Sequence, residues 1–165
     1  MAAPAVVDLE LAPLSVADAP GLFAFEVKNR KWFESHVGPR PDAYWDLASL
    51  TEIVRDQVEA GEMMFLLKSG GKILGRLNLT AVDNGVAQLG YRIGQHHTGQ
   101  GIATRAVALA LQAAQDRGLW ALEARVLLNN PASIRVLEKA GFIRTGQDII
   151  GDLECETYRS DLDQD

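Results

Sequence analysis

Alternation of apolar and polar residues marks several short segments of this chain, and helical spacing of apolar residues marks the segments between them. The first pattern predicts β-strands and the second predicts amphipathic helices. Strands are predicted, in chain order, over Val6–Leu11, Met63–Leu67, Lys72–Thr80, Val86–Ile93, Leu122–Val126, Phe142–Thr145 and Glu154–Leu162. The sequences Ser69-Gly70-Gly71 and Asp83-Asn84-Gly85 are typical of the tight turns that join antiparallel strands.

Helices are predicted where apolar periodicity follows a capping residue. They cover Ser15–Phe25, Ser49–Gly61, Ala103–Gly118 and Asn130–Gly141. The last begins most clearly, because Asn130 is a favoured N-cap and Pro131 suits the first helical position. Between the first two helices, Lys28–Tyr44 is predicted as loop and broken helix, rich in aromatic residues and arginine.

The predicted element order is β-α-α-β-β-β-α-β-α-β-β, which indicates an α/β fold with one mixed sheet and helices on its faces. The strands before and after Ala103–Gly118 are joined by a helix, so they are expected to be parallel neighbours. Repeats, low-complexity tracts and linkers are not found, which predicts a single domain over residues 1–165.

Composition excludes several classes of protein. The net charge is −6, so a basic surface for nucleic acid is not expected. A single cysteine, Cys155, excludes an intrachain disulfide and a cysteine-built metal site, and no metal is expected. Residues Met1–Leu11 carry Asp8 and Glu10, unlike a signal peptide, and no apolar run reaches the ~18 residues of a membrane span. These features predict a cytoplasmic protein with neither membrane nor nucleic-acid partners.

The segment His97–Thr104 lies between a predicted strand and a predicted helix. A helix N-terminus carries unpaired N–H groups and partial positive charge, which suit a pyrophosphate. Gly99 and Gly101 let the backbone come close to a ligand, and the small Ala103 keeps the first turn open. A dinucleotide loop of the Gly-x-Gly-x-x-Gly type does not fit, because Thr104 replaces the third glycine and the preceding strand is polar.

Two motifs resemble the GNAT superfamily of acyl-CoA-dependent N-acetyltransferases. Gly101 and Ala103 match the signature Gln/Arg-x-x-Gly-x-Gly/Ala, with Thr98 in place of the glutamine or arginine. The replacement removes one side-chain contact and leaves the backbone cradle. The segment from Asn130 to Phe142 matches the second signature, Asn-x-x-Ser followed by a helix ending in Gly-Phe, throughout.

The resemblance implies a GNAT-like mixed sheet of six or seven strands with four helices, in which two parallel strands splay apart to form the acyl-CoA cleft. It implies direct transfer of an acetyl group from acetyl-CoA to a primary amine by a monomer or homodimer. The chain is most similar to the ribosomal-protein N-terminal alanine and serine acetyltransferases, through Asn29-Arg30, Trp32-Phe33 and Pro39-Arg40-Pro41. The implied acceptor is therefore a protein N-terminal α-amine.

By the same resemblance, particular residues are assigned to each ligand. Pantetheine is expected beside the backbone of Tyr91 and Ile93, with Asn130 bonded to its arm. The residues expected to bind the cosubstrate are Tyr91, Ile93, Thr98, Gly99, Gln100, Gly101, Ile102, Ala103, Thr104, Asn130 and Ser133. Candidates for the acceptor side are Glu26, Asn29, Arg30, Asn78 and Tyr158.

Two residues are candidates for proton transfer. Some family members carry a tyrosine acid where this chain has Leu137, so Ser133 is the candidate acid beside the leaving sulfur. An α-amine with a pKa of about 7.7–8.0 needs only a weak base, whereas lysine, at about 10.4, needs more help. Glu123 is the candidate base, although it could instead face solvent or pair with Arg125.

Two alternatives remain open at the level of sequence. The acceptor could be a small amine, such as a polyamine, an amino sugar or an amino acid. The chain could also be an acyl-CoA-binding module without transferase activity, since Thr98 and Leu137 both depart from the family pattern.

Overall fold

The structure is a computed structural model, and it describes residues 8–163 of the chain. Its strands are β1 (Glu10–Pro13), β2 (Met63–Ser69), β3 (Lys72–Asp83), β4 (Val86–Ile93), β5 (Ala121–Leu127), β6 (Ile143–Ile150) and β7 (Leu153–Asp161). Its helices are α1 (Ala19–His36), α2 (Leu47–Glu59), α3 (Ile102–Asp116) and α4 (Pro131–Lys139). Short 3-10 turns cover Val16–Asp18, Asp42–Trp45 and Gln95–His97.

The strands form one seven-stranded sheet in the order β1-β2-β3-β4-β5-β7-β6. β4 and β5, joined through α3, are parallel, whereas β5 with β7 and β6 with β7 are antiparallel. The predicted element order and the mixed α/β class are confirmed. The parallel pair is what the helical crossover between these strands requires.

The chain forms two compact units. The first runs to Arg76 and includes Arg92–Ile102, and the second comprises Leu77–Tyr91 and the chain from Ala103 onward. The first has a core of buried residues from α1, α2, β2 and the connecting segments: Leu14, Ala19, Leu22, Phe25, Phe33, Tyr44, Leu50, Val54 and Leu66. In the second, the alternating positions Leu122, Ala124 and Val126 of β5 are buried.

The prediction for the N-terminal segment is partly wrong. The first strand covers Glu10–Pro13 rather than Val6–Leu11, of which residues 6 and 7 lie outside the described chain. The Ser15–Asp18 capping box forms, but it caps a 3-10 turn that leads into α1.

α1 is much longer than predicted, because it continues through the expected loop to His36. Two buried positions of its inner face are polar, Glu26 and Asn29, so the apolar periodicity breaks although the helix does not. α2 begins before its predicted cap, since the side chain of Asp46 accepts a hydrogen bond from the Ser49 N–H and serves as the N-cap.

β6 continues five residues beyond its predicted end at Thr145, to Ile150. Most of its residues are exposed, so it has no alternation to reveal it, and pairing with β7 defines its length. A register shift between Arg144 and Gly146 interrupts that pairing. Within residues 8–163, no helix is long and apolar enough to cross a membrane.

Candidate active site

The N-terminus of α4 is built as the sequence predicts. Asn130 is the N-cap, and its side-chain oxygen accepts a hydrogen bond of 3.3 Å from the Ser133 N–H. Pro131 takes the first helical position, where its missing N–H costs nothing. This cap fixes the backbone that carries the Ser133 hydroxyl.

The hydroxyl groups of Tyr91 and Ser133 lie 2.6 Å apart, so β4 and α4 meet through a hydrogen bond in which either group can donate. Burial raises the pKa of Tyr91, an effect that the bond from Ser133 reduces without cancelling. The phenol therefore stays protonated at neutral pH. Two neighbouring hydroxyls in this arrangement can pass a proton from Tyr91 to Ser133 as Ser133 gives its own away.

The parallel strands β4 and β5 stay paired over only part of their length. The register runs from Val86 opposite Ala121 to Gln88 opposite Glu123, although both strands continue beyond these residues. Tyr91 lies on β4 past the last pair. Within the second unit, the strands are therefore separated where the resemblance expects the thioester.

Glu123 is half-buried and accepts a hydrogen bond of 3.3 Å from the side-chain amide of Gln88. Arg125 is paired elsewhere, with Asp148 at 3.6 Å. Since side chains alternate between the faces of a strand, Gln88 and Glu123 lie on the sheet face opposite to Tyr91. Ser133 is bonded to Tyr91, so the two residues predicted for proton transfer, Ser133 and Glu123, lie on opposite faces of the sheet.

Tyr158 and Asn78, both predicted for the acceptor side, lie in the second unit. Tyr158 lies opposite Ala124 in the sheet register, which places it on the same face as Tyr91. It is 2% exposed, its hydroxyl donates to Glu156 at 3.1 Å, and burial, followed by that bond, raises its pKa. The side-chain oxygen of Asn78 is buried and has no hydrogen-bond partner within the described chain.

The glycine loop before α3 adopts an unusual backbone. Gly99 and Gly101 both have φ of +75°, and a Cβ added at either would meet no atom within 4 Å. Glycine is therefore required by conformation, and the loop surface is open for a ligand to approach. The main-chain N–H groups of Ile102, Ala103 and Thr104, in the first turn of α3, have no acceptor within that helix.

Polar side chains in this loop are used internally. The Thr98 hydroxyl donates to the Gln95 carbonyl at 2.9 Å, and the Gln100 amide donates to the His96 carbonyl at 3.1 Å. The loop thus offers backbone donors, and Thr98 supports its shape. This is consistent with a cradle that has lost the usual glutamine or arginine contact.

Three residues predicted for the acceptor side lie in the first unit and are already bonded. Glu26 is fully buried and binds Arg40 at 3.0 and 3.2 Å. Asn29 is 4% exposed, donates to the Phe25 carbonyl and accepts from the Gln95 N–H, both at 2.9 Å. The exposed Arg30 pairs with Glu34 at 3.1 Å. These contacts position α1, so acceptor binding by the three residues remains a prediction.

The first unit also contains an arginine cluster that sequence reasoning missed. We define it as Arg40, Arg76 and Arg92 with Glu26 and Tyr44. Arg76 is 2% exposed, and its side chain donates to the Tyr44 hydroxyl at 3.2 Å. Arg92 donates to the Gly38 carbonyl at 3.1 Å. Burial, followed by the charge of Arg40, lowers the pKa of Arg92 to about 10.

No sequence pattern predicts that these arginines lie together, because they come from three distant segments. Pro39-Arg40-Pro41 resembles part of an N-terminal acetyltransferase branch, and this resemblance does not indicate an arginine cluster. In residues 8–163, no three or more His, Cys, Asp or Glu side chains are grouped so that they could hold a metal ion.

Comparisons with known proteins point to one family. The family model for the acetyltransferase (GNAT) domain matches residues 8–143. The probable N-acetyltransferase YjcK of Bacillus subtilis is 31% identical over 144 residues, covering 81% of this chain and 80% of that protein. The structure of RimL, a ribosomal L7/L12 alpha-N-protein acetyltransferase solved with coenzyme A, superposes with a TM-score of 0.86, 20% identity and 98% of both chains covered. The Vibrio cholerae spermidine N-acetyltransferase, solved with CoA and spermine, has a TM-score of 0.79, 20% identity and coverage of 94% of this chain and 96% of its own.

Proposed function

This chain belongs to the GNAT acetyltransferase family, and from that premise we propose that its acceptor is the α-amine at the N-terminus of a protein, as in ribosomal-protein acetylation. It is an N-acetyltransferase. We propose acetyl-CoA as its acetyl donor, since related structures contain CoA or acetyl-CoA. Newly made protein N-termini of this kind are found in the cytoplasm, where we propose that the enzyme works.

The observation that carries the proposal is the charge of the arginine cluster. Among the described residues, the cluster holds three guanidinium groups, and Glu26 is the one carboxylate that binds a member of it. A polyamine carries several positive charges and is repelled by such a cluster. The α-amine of a protein N-terminus carries at most one positive charge. Because its pKa is about 7.7–8.0, an appreciable share of these amines is neutral near pH 7.5.

The cosubstrate site supports acetyl-CoA as the donor. The open loop at Gly99 and Gly101, followed by the first turn of α3, is suited to hold a pyrophosphate through main-chain N–H groups. We propose that Thr98 to Thr104 form this cradle and that Asn130, Tyr91 and Ile93 border the pantetheine arm. Asn130 can do this while capping α4, because the cap uses only its side-chain oxygen.

Transfer then requires that the acceptor amine lose a proton and that the leaving sulfur gain one. The amine nitrogen forms a bond to the thioester carbonyl carbon, the carbon–sulfur bond breaks, and the sulfur leaves as a thiolate. Ser133 supplies the proton to the sulfur and takes another from Tyr91 through their 2.6 Å bond, and Tyr91 recovers a proton from solvent before the next turnover. A thiol with a pKa near ~8.5 is a tolerable leaving group, so this pair accelerates transfer without being indispensable.

The amine proton leaves by a different route. We propose that Glu123 accepts it through water, because Gln88 holds its carboxylate on the sheet face away from Ser133. A weak base is enough for an α-amine. Asn78 supplies an acceptor for an amine N–H, since its buried side-chain oxygen has no partner among residues 8–163. Tyr158, on the Tyr91 face, is the remaining candidate beside the acceptor.

A mixed panel of amines tests the proposal. Purified protein is incubated with acetyl-CoA and peptides beginning with Ala, Ser or Asp, a lysine peptide with a blocked N-terminus, spermidine and an amino sugar, and products are identified by mass. We expect acetylated product only from peptides with a free α-amine. Modification of spermidine or the amino sugar alone would refute the proposed acceptor, while binding of acetyl-CoA without transfer to any amine would favour a non-catalytic module.

A further inference from the structure

The arginine cluster is unusual because it holds an excess of positive charge in a largely buried place. Arg76 is 2% exposed and the side chain of Arg40 is 14% exposed, yet Glu26 is the only carboxylate that binds a member of the cluster in the described chain. Buried charges are costly unless they are paired. The cluster is therefore electrostatically incomplete as it stands.

The three guanidinium groups differ in the partners that they bind. Arg40 donates two hydrogen bonds to the carboxylate of Glu26. Arg76 donates to the Tyr44 hydroxyl, and its buried Nε has no hydrogen-bond partner within residues 8–163. Arg92 has a neutral carbonyl and the face of Phe33, 5.3 Å away, as partners. Its pKa is lowered first by burial and then by the charge of Arg40, and the charge of Glu26 offsets only part of this.

We propose that the arginine cluster binds a carboxylate of the acceptor, with half-buried Arg92 as the residue that contacts it. This inference rests on the proposed function, because it takes the acceptor to be a polypeptide N-terminus. A guanidinium group matches a carboxylate with two parallel hydrogen bonds, and such charge-assisted bonds are stronger than neutral ones. The charges of Arg40 and Arg76 act on Arg92 and add attraction without needing direct contact.

Two parts of a polypeptide acceptor present a carboxylate close to its N-terminus. One is an acidic side chain on the second or third residue, and the other is the C-terminus of a very short acceptor. Both sources present the same chemical group, so the test separates them.

Matched peptides test the inference. One begins Ser-Asp and its twin begins Ser-Asn, and both have amidated C-termini, so that they differ in one carboxylate. The dipeptide Ser-Asn, as the free acid and as the amide, tests the chain-end source in the same way. We expect the acidic member of at least one pair to have a kcat/KM at least about tenfold higher, as a charge-assisted hydrogen bond predicts.

Variants identify the residue responsible. Arg92→Gln should bring the ratio for that pair close to one, and Arg92→Lys should retain part of it because the charge remains. Arg55→Gln is the matched control, since Arg55 lies in the same unit but pairs with Glu52 at the surface. It should retain the full ratio. Thermal unfolding checks that each variant is folded, and Arg92→Lys keeps the test valid if the glutamine variant is not.

Outcomes separate this inference from the proposed function. Equal acetylation of acidic and neutral twins would overturn the carboxylate site and leave α-amine acetylation standing. If no peptide is acetylated, calorimetric binding of the same peptides in the presence of CoA still tests the cluster. Tighter binding of an acidic twin that is lost in Arg92→Gln would support the site, and equal or absent binding would overturn it.

Discussion

Tyr91 on β4 and Ser133 on α4 share a hydrogen bond of 2.6 Å, which joins a strand end to a helix start. The bond has three supports: the Asn130 cap positions Ser133, burial keeps Tyr91 protonated, and β4 has separated from β5 at this point. Some members of the family carry a tyrosine where this chain has Leu137, so we propose the hydroxyl pair as an alternative source for the proton that the leaving sulfur needs.

The hydroxyl pair can be tested by removing each member. Ser133→Ala should lower kcat about tenfold to a hundredfold, at the low end of general-acid effects because a thiolate leaves readily. Tyr91→Phe should lower it less, and the double variant should resemble Ser133→Ala, because the two hydroxyls act in series. Steady-state kinetics measure this, with Ser35→Ala on α1 as the control. Additive losses in the double variant would contradict a relay.

Replacing Asn130 separates its role as a helix cap from other roles. Asn130→Ala removes the acceptor of the Ser133 N–H and should lower the free energy of unfolding by about 1 kcal/mol. Asn130→Asp keeps a capping oxygen and should lose much less stability. Urea unfolding measures both. If the two variants were equally destabilised, the cap would not be the source of the stability.

The two loop glycines should matter for cosubstrate affinity through their backbone conformation. Gly101→Ala places a side chain at φ of +75°, which costs about 1 kcal/mol or more in strain although its Cβ meets no atom within 4 Å. We expect weaker CoA binding by calorimetry. Gly151→Ala is the control, since that glycine has φ of +60° in the turn between β6 and β7. It should reduce stability similarly and leave CoA binding unchanged; equal losses of affinity would argue against a phosphate cradle.

Two carboxylates on α1 offer a matched comparison of buried and exposed ion pairs. Glu26→Gln leaves the largely buried Arg40 without its partner, so the free energy of unfolding should fall by about 3–5 kcal/mol. Glu34→Gln breaks the exposed pair with Arg30 and should cost no more than about 0.5 kcal/mol. Urea unfolding of both variants measures the difference. Similar values for the two would show that Glu26 does not hold the cluster together.

Local signals allowed α4 and the fold class to be predicted. Asn130, Pro131 and Gly141 define the helix by short-range capping chemistry that depends on neighbouring residues alone. The continuation of α1 could not be predicted, because the buried Glu26 and Asn29 bond partners far away in sequence, Arg40 and Gln95. A polar residue on an inner helical face cannot be distinguished from a break in the helix until its partner is known.

The candidate site shows the same division between local and distant contacts. The loop glycines and Asn130 were predicted as cosubstrate residues from motif spacing, and Tyr91 and Ser133 were predicted separately without the bond between them. The excess charge of the arginine cluster was invisible, since Arg40, Arg76 and Arg92 come together only through folding of the first unit. The partner of Glu123 likewise depended on the register that places it opposite Gln88.

Localising the acetyl group on one peptide tests the central claim most directly. A peptide with a free α-amine and one internal lysine is incubated with the enzyme and acetyl-CoA beside a twin whose N-terminus is blocked, and fragment masses locate the modification. We predict a single acetyl group on the α-amine of the first peptide and none on its twin. Acetylation of the lysine in both peptides would contradict the account.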